Sequence, residues 1–492
     1  MVATAHFRYP LQLNSRMLPT DALFWYVEEA TPELRPLVAA VMILDRPPDH
    51  DRLHASVERW VARLPRLRQR VVEAPLRLAL PEWEDDPHFE LDYHAREVIL
   101  PEPATDRHLF DFVGAVFATP LDHLRPLWEA YLIEGLDGGR AACFFKVHHS
   151  VMDGVGSLAV FDALTQAHRA EPVRVPRHLP SQPPSSPPLR LARLVRDAAA
   201  NAANSLGAAV TVSVRAVRRP SEVIDDIGRA VRGVRGMIAD LTAPSTPDPL
   251  GQASTGVGRR LDAMTLSLPR LQRIKDALGV TLNDVVLTAV SGAVGRYYVH
   301  RKMHVDELHC MVPMSLRESG DQALGNRVGA FNVALPVGQP DPLLRLSRIQ
   351  RQTGAAKHDR RGAAWPLLMR VMASMPGFAY RLLAQTTTGR VNLICTNMPG
   401  PPVQRYLAGA KIEAMYPFAP VALGTPLSIA LMSYGDSYGV GVDTDPAAIP
   451  DPELLTRYLA EAVDEIEDYA VPRPTRVEQK RMKRPPVRAV GR

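Results

Sequence analysis

Cysteine is scarce in this chain: Cys143, Cys310 and Cys395 are the only three in 492 residues. They are odd in number and widely spaced, which excludes a disulfide framework, a C-x-x-C redox pair and a thiolate zinc site, and fits a reducing cytoplasm. Long apolar runs are missing too. No stretch reaches eighteen uninterrupted apolar residues, and the opening residues carry no apolar segment behind a basic start. The sequence therefore predicts neither a membrane-spanning helix nor a signal peptide. Aromatic residues are few, at 6%, but 46% hydrophobic and 23% charged residues are the composition of a folded globular protein with a sizeable core. The body of the chain also lacks a charge excess. The formal net charge is +5, and the last 22 residues hold Arg473, Arg476, Lys480, Arg481, Lys483, Arg484, Arg488 and Arg492 against Glu478 alone, which leaves the rest near −2. That excludes a nucleic-acid-binding body by charge. The basic, proline-punctuated tail reads as a solvated disordered end or as a segment that binds an anionic membrane.

A chain of this length is too long for one core, so two large domains are expected. Helix-like and strand-like patterns alternate, which sets an α/β fold class. Residues 1–170 form the first domain. Within it a helix capped by Thr20 or Asp21 runs through Glu28, Leu37 to Leu44 is an apolar run, and His50 to Leu64 and Asp106 to Phe117 have helical periodicity. Residues 171–258 are a proline-rich connection followed by a helical crossover. Its clearest element is the stripe Ile224, Ile227, Val231, Val234, Ile238 and Leu241, which covers the core or rests on a membrane surface. Residues 259–470 form the second domain, with helices over Leu268 to Leu278 and Thr281 to Tyr298. Strands are expected at Leu308 to Pro313, Ala330 to Pro336, Leu427 to Ser433 and Tyr438 to Val442. Residues 471–492 are the tail.

The chemistry concentrates in one place. Leu127 to Leu136 and Arg140 to His148 are two strand candidates joined by Asp137-Gly138-Gly139, a hairpin signal. The second strand runs into His148-His149-Ser150-Val151-Met152-Asp153-Gly154, and helical spacing follows at Val155, Leu158, Phe161 and Leu164. A histidine held where a strand ends and a helix begins has little freedom, and a neutral imidazole with an ordinary pKa near ~6.5 can act as a general base. Asp153 can hold the local backbone or pair with a distant cation, and Gly154 permits a backbone shape that other residues resist. Adjacent residues in extended chain point in opposite directions, so His148 and His149 cannot easily face one metal ion. No metal is expected. Nor is there a G-x-S-x-G elbow for a serine hydrolase.

With Asp21-Ala22-Leu23-Phe24, Pro126-Leu127-Trp128, Asn283-Asp284-Val285-Val286-Leu287, Pro313-Met314-Ser315-Leu316-Arg317, Gly325-Asn326-Arg327 and Thr396-Asn397-Met398-Pro399-Gly400-Pro401 in the same order, the chain resembles the bacterial wax ester synthase/acyl-CoA:diacylglycerol acyltransferase family. That family lies within the chloramphenicol acetyltransferase-like superfamily. The resemblance spans nearly the whole chain. It implies two chloramphenicol acetyltransferase-like domains with mixed sheets, an active-site channel at their interface, and transfer of a long-chain acyl group from acyl-CoA to the hydroxyl of diacylglycerol or a long-chain alcohol. Acyl-CoA is then a co-substrate, and no bound cofactor is needed. His149 is carried over as the base. Asn283 is a candidate donor to the tetrahedral oxyanion, with a helix cap after Thr281 as the other reading. Arg317 is a candidate partner for Asp153, with a surface role as the other reading. Pro126-Leu127-Trp128 and Pro399-Gly400 are expected to shape and pack rather than react. The acceptor lives in bilayers, so the implied location is the inner membrane face or a lipid droplet, bound peripherally from the cytoplasm. Two rivals are a carrier-protein-dependent acyltransferase of the same superfamily and a non-catalytic lipid-binding protein.

Overall fold

The computed structural model describes residues 15–30, 33–74, 79–152, 161–173, 248–315, 328–358 and 391–470, together with residues 175, 192 and 196. In chain order the elements are α1 (Pro19–Ala30), β1 (Leu37–Leu44), α2 (His50–Arg63), β2 (Gln69–Val72), β3 (Glu82–Asp85), α3 (Leu91–His94), β4 (Ala95–Ile99), α4 (Asp106–Phe117), β5 (Trp128–Leu136) and β6 (Arg140–His148). The later part contributes α5 (Pro249–Ala253), β7 (Arg260–Ser267), α6 (Leu268–Leu278), α7 (Leu282–His300), β8 (Leu308–Ser315), β9 (Val328–Leu335), α8 (Pro342–His358), β10 (Leu393–Met398), β11 (Tyr406–Leu407), β12 (Ala410–Phe418), β13 (Leu427–Tyr434), β14 (Ser437–Thr444) and α9 (Pro452–Ala470).

Local sequence explains many of these boundaries. Asp49 caps α2 by accepting from the Arg52 amide at 2.9 Å, and Thr281 and Asp284 form a reciprocal capping box at the start of α7. The first helix begins at Pro19, upstream of the expected Thr20 or Asp21 cap, and the Asp21 carboxylate accepts from the Leu18 amide at 3.3 Å. Proline at the first helical position costs no hydrogen bond, which lets the helix start there. The expected amphipathic stripe around Ile224 to Leu241 and the basic tail lie outside the described residues.

Two six-stranded sheets organise the molecule, ordered β11-β12-β1-β6-β5-β4 and β7-β14-β13-β10-β8-β9. Both are mixed: β4 runs parallel to β5, and β10 runs parallel to both β8 and β13, while the other pairs are antiparallel. Sheet membership does not follow chain order. The segment Tyr406–Phe418, within residues 259–470, lies in the first sheet, where Ala39 pairs with Phe418 and Met42 with Met415. Its residues Leu407, Ala410, Ile412, Met415 and Phe418 are buried in the same apolar core as Trp60, Trp83 and Trp128. The second core gathers around α7, with Val285, Leu287, Val290 and Tyr297 fully buried.

β12, a strand of the first sheet, lies directly against β14 of the second. A Cβ on Gly439 would meet the carbonyl oxygen of Met415, and one on Gly441 would meet that of Pro417. Two glycines one pleat apart therefore let the sheets touch backbone to backbone. We expect Gly441→Ala to destabilise the fold by about 1–3 kcal/mol, since backbone cannot give way as a side-chain tip can. Gly354→Ala, on α8 with open space around it, should be neutral or mildly stabilising. Urea denaturation of both variants checks this, and a wild-type midpoint for Gly441→Ala would show that the seam is loose.

Candidate active site

The hairpin and the histidine pair lie where the sequence puts them: β5 and β6 flank a turn at Asp137–Gly139, and β6 ends at His148. Main-chain hydrogen bonds fix that end from two sides. The His148 amide donates to the Leu127 carbonyl at 3.0 Å, and the His149 amide donates to the Pro36 carbonyl at 2.7 Å. A tight turn follows at once, with the Val151 amide donating back to the His148 carbonyl at 3.0 Å.

The two imidazoles go different ways. His148 is fully buried, with Nε2 3.0 Å from Glu28 Oε2. Its Nδ1 receives the Ser150 amide at 3.1 Å and lies 2.6 Å from the Ser150 hydroxyl. An amide can only donate, so Nδ1 is unprotonated and the ring proton sits on Nε2, facing the carboxylate. The line from Nε2–H to the oxygen is imperfect, which makes this a close polar contact rather than an aligned bond. Both nitrogens are nevertheless committed. His149 is half-buried, and its ring stacks on Phe24 with centroids 4.2 Å apart and planes 14° from parallel.

One helix face handles both rings. Phe24 and Glu28 are four residues apart on α1, hence on the same side one turn apart. Glu28 Oε2 also accepts from His123 Nε2 at 3.0 Å, and Trp25 lies 4.4 Å from the His123 ring. Burial alone would raise the Glu28 pKa, but the polar contacts with His123 and His148 and the positive charge beside the carboxylate outweigh it and pull the carboxyl down to about 2. His123 moves the opposite way, its pKa raised first by the hydrogen bond to Glu28. Stability from the Glu28 carboxylate is therefore complete above its ordinary value of 4.5 and is lost as pH falls toward about 2. Stability from His123 is complete below its ordinary 6.5 and is lost as pH rises through its higher folded value.

Behind the motif the hairpin is braced. Trp128 is buried, donates from Nε1 to the Leu67 carbonyl at 2.8 Å and stacks on His94, so Pro126-Leu127-Trp128 packs and ties the strand. Lys146, one pleat before His148, is fully buried and pairs with its cross-strand partner Glu129 at 2.9 Å. Just past β10 the Gly400 amide donates to the Ser433 hydroxyl on β13 at 2.9 Å, and a Cβ there would strike the Ser433 carbonyl. Pro399-Gly400 is thus a packing element.

Asn283 is the second residue of α7 and half-buried. The helix cap is made by other residues: Asp284 Oδ2 accepts from the Thr281 amide at 3.0 Å, while Asp284 Oδ1 accepts from Thr353 on α8 at 2.7 Å. No hydrogen bond or ion pair among the described residues joins Asn283 to His148 or His149. Asp153, Gly154 and Arg317 lie outside the described residues. Glu28, His123 and Phe24 were not singled out as site residues from sequence. Phe24 sat inside a recognised motif, but the meeting of positions 28, 123 and 148 is long-range and has no spacing signal.

No cysteine is placed to serve as a thiol nucleophile. All three cysteines are buried, and burial pushes the Cys143 thiol up to about 12. Among the described residues no cluster of His, Cys, Asp or Glu could hold a metal ion.

Comparisons with known proteins agree on one family. Residues 17–286 match the model of the wax ester synthase/diacylglycerol acyltransferase catalytic domain, and residues 324–467 match that of the WS/DGAT C-terminal domain. A Mycobacterium tuberculosis protein provisionally named a diacylglycerol O-acyltransferase is 33% identical over 463 residues, 92% of each chain. The O-acyltransferase WSD of Acinetobacter baylyi is 29% identical over 386 residues, 77% of this chain and 82% of that one. Among solved structures, the wax ester synthase/diacylglycerol acyltransferase of Marinobacter aquaeolei VT8 superposes with a TM-score of 0.62 at 24% identity, over 92% of this chain and 99% of the other. The first condensation domain of the CDA synthetase gives 0.59 at 17%, over 94% and 98%. The last two similarities speak to fold.

The two histidines differ in what their loss should cost. His148→Ala strips a buried partner from Glu28 and Ser150, and we expect a loss of about 2–3 kcal/mol. His149→Ala should stay within about 1 kcal/mol of wild type, because its ring is half-buried and packs on one phenyl face. Chemical denaturation decides, and a larger loss for His149→Ala would reverse the assignment of which ring is structural.

Proposed function

The chain belongs to the wax ester synthase/diacylglycerol acyltransferase family, and from that premise we propose that it moves a long-chain acyl group from acyl-CoA to the hydroxyl of diacylglycerol, with long-chain alcohols as further acceptors. The observation that carries the chemistry is the unequal use of two neighbouring imidazoles. His148 has both nitrogens engaged by Glu28 and Ser150 inside the fold, whereas His149 is half-buried with its ring on Phe24, and we read His149 as the ring that exchanges a proton.

In this reading His149 takes the proton from the acceptor hydroxyl as that oxygen attacks the thioester carbonyl carbon. The tetrahedral intermediate carries the negative charge on the former carbonyl oxygen, with Asn283 as the proposed donor to it, a role worth roughly 10²–10³ in rate. Collapse breaks the carbon–sulfur bond, and the imidazolium returns its proton to the departing thiolate. Ester and free CoA leave, and His149 is neutral again. The flat face of Phe24 against the ring supports that cycle, since an aromatic face attracts the cation formed in its middle.

The acceptors reside in bilayers, and no single helix among the described residues is long and apolar enough to cross one. We propose peripheral collection of the acceptor from a membrane or lipid-droplet surface, with the stripe from Ile224 to Leu241 and the basic tail as the contacting segments. The likeness to condensation domains extends to fold alone and gives no support to a carrier-bound donor.

The test is transfer from radiolabelled acyl-CoA to diacylglycerol and to a long-chain alcohol, with products separated. We expect both esters from the wild type without any carrier protein. His149→Ala should lose about 10²–10⁴ of the rate, and His148→Ala should lose less. A folded His148→Ala that is the less active of the two would refute His149 as the base.

A further inference from the structure

His123 lies outside the histidine motif, 25 positions before His148, yet it shares a carboxylate oxygen with it. We propose that His123, in its protonated form, is a positioning residue of the transfer reaction, acting through Glu28 on the histidine that anchors the catalytic loop. The inference rests on the reading of His149 as the base and adds what keeps the neighbouring turn in place.

The argument is one of charge. The Glu28 side chain is 9% exposed, and among the described residues its hydrogen bonds and ion pairs go to His123 and His148 alone. His148 is held neutral, because its Nδ1 receives the Ser150 amide. Among the described residues that leaves His123 as the one cation in contact with this nearly buried carboxylate, and an uncompensated buried charge is strongly unfavourable. The surroundings favour the cation. Asp122 on the same loop and Glu29 on α1 add negative charge facing His123, while the Trp25 ring lies 4.4 Å away and directs its own Nε1–H to Glu73 at 3.1 Å. The His123 side chain is 39% exposed, so it can exchange its proton with water.

When His123 loses that proton, Glu28 has only His148 to turn to. A second proton on His148 must go to Nδ1, which expels the Ser150 amide and loosens the turn carrying His149. The consequence is a titration separate from that of the base. Activity rises with pH as His149 becomes neutral, then falls as His123 does.

The experiment measures initial rates across about pH 6 to about pH 9.5 for the full chain, with acyl-CoA and a water-soluble short-chain alcohol. His123→Arg supplies a permanent cation, and His123→Leu supplies none. We expect the arginine variant to keep activity within about threefold of wild type and to lose the alkaline fall. The leucine variant should lose roughly tenfold in kcat at every pH with KM little changed. A leucine variant with wild-type kcat and profile overturns the proposal. So does an alkaline fall that persists in His123→Arg, which decides the matter alone if His123→Leu does not fold. A wild type with no alkaline fall also overturns it, whereas a wild type with no transfer at all instead sinks the acyltransferase reading beneath it.

Discussion

Glu28 puts a single carboxylate oxygen between His123 and His148, and the arrangement of the candidate active site depends on that contact. It takes up the Nε2 side of His148, whose tautomer the Ser150 amide sets, ties the loop before β5 to α1, and holds the end of β6 against the same helix. Phe24, one turn earlier, then meets the ring of His149. One helix face thus separates two adjacent residues of identical chemistry into an anchor and the proposed base. The separation follows from extended-chain geometry, which points neighbouring side chains apart, and α1 supplies a different partner on each side.

That helix acts on a strand braced from behind. Lys146 and Glu129 face each other across β6 and β5, and Trp128 ties the hairpin to Leu67. Buried polar pairs of this kind are weak sources of net stability but are costly to break on one side, so they fix where the strand end lies. The larger frame depends on β12, which leaves the second half of the chain to pair with β1 and is admitted over β14 by Gly439 and Gly441. β1 in turn lies beside β6 along its whole length, from Leu37 opposite His148 to Leu44 opposite Ala141. The C-terminal half is therefore built into the sheet that carries the histidines.

What could be read from sequence was what local patterns encode. The hairpin of β5 and β6, the helix Asp106–Phe117 and the strand Leu37–Leu44 follow from periodicity and a glycine turn, and the structure has them at those residues. The helix over Thr281 to Tyr298 follows from periodicity, although its cap is made by Thr281 and Asp284 and not by Asn283. Two features could not be read. The sheet that Ala410–Phe418 joins is a tertiary choice among partners that all accept an extended strand, and the sequence has no mark for it. The clustering of Glu28 with His123 and His148 joins positions up to 120 apart. An acid near the end of a helix and a histidine in a loop look ordinary until the fold brings them to one oxygen.

The central claim is that one imidazole of the pair is locked in a neutral tautomer while the other exchanges a proton. Nitrogen-15 spectra of histidine-labelled protein, with signals assigned through His148→Gln and His149→Gln, report protonation at each ring nitrogen from about pH 5 to about pH 9. The expected result is a His148 in the Nε2–H tautomer for as long as His123 keeps its proton, and a His149 that titrates within that range. A His148 that titrates beside a His149 fixed in one tautomer would contradict the account.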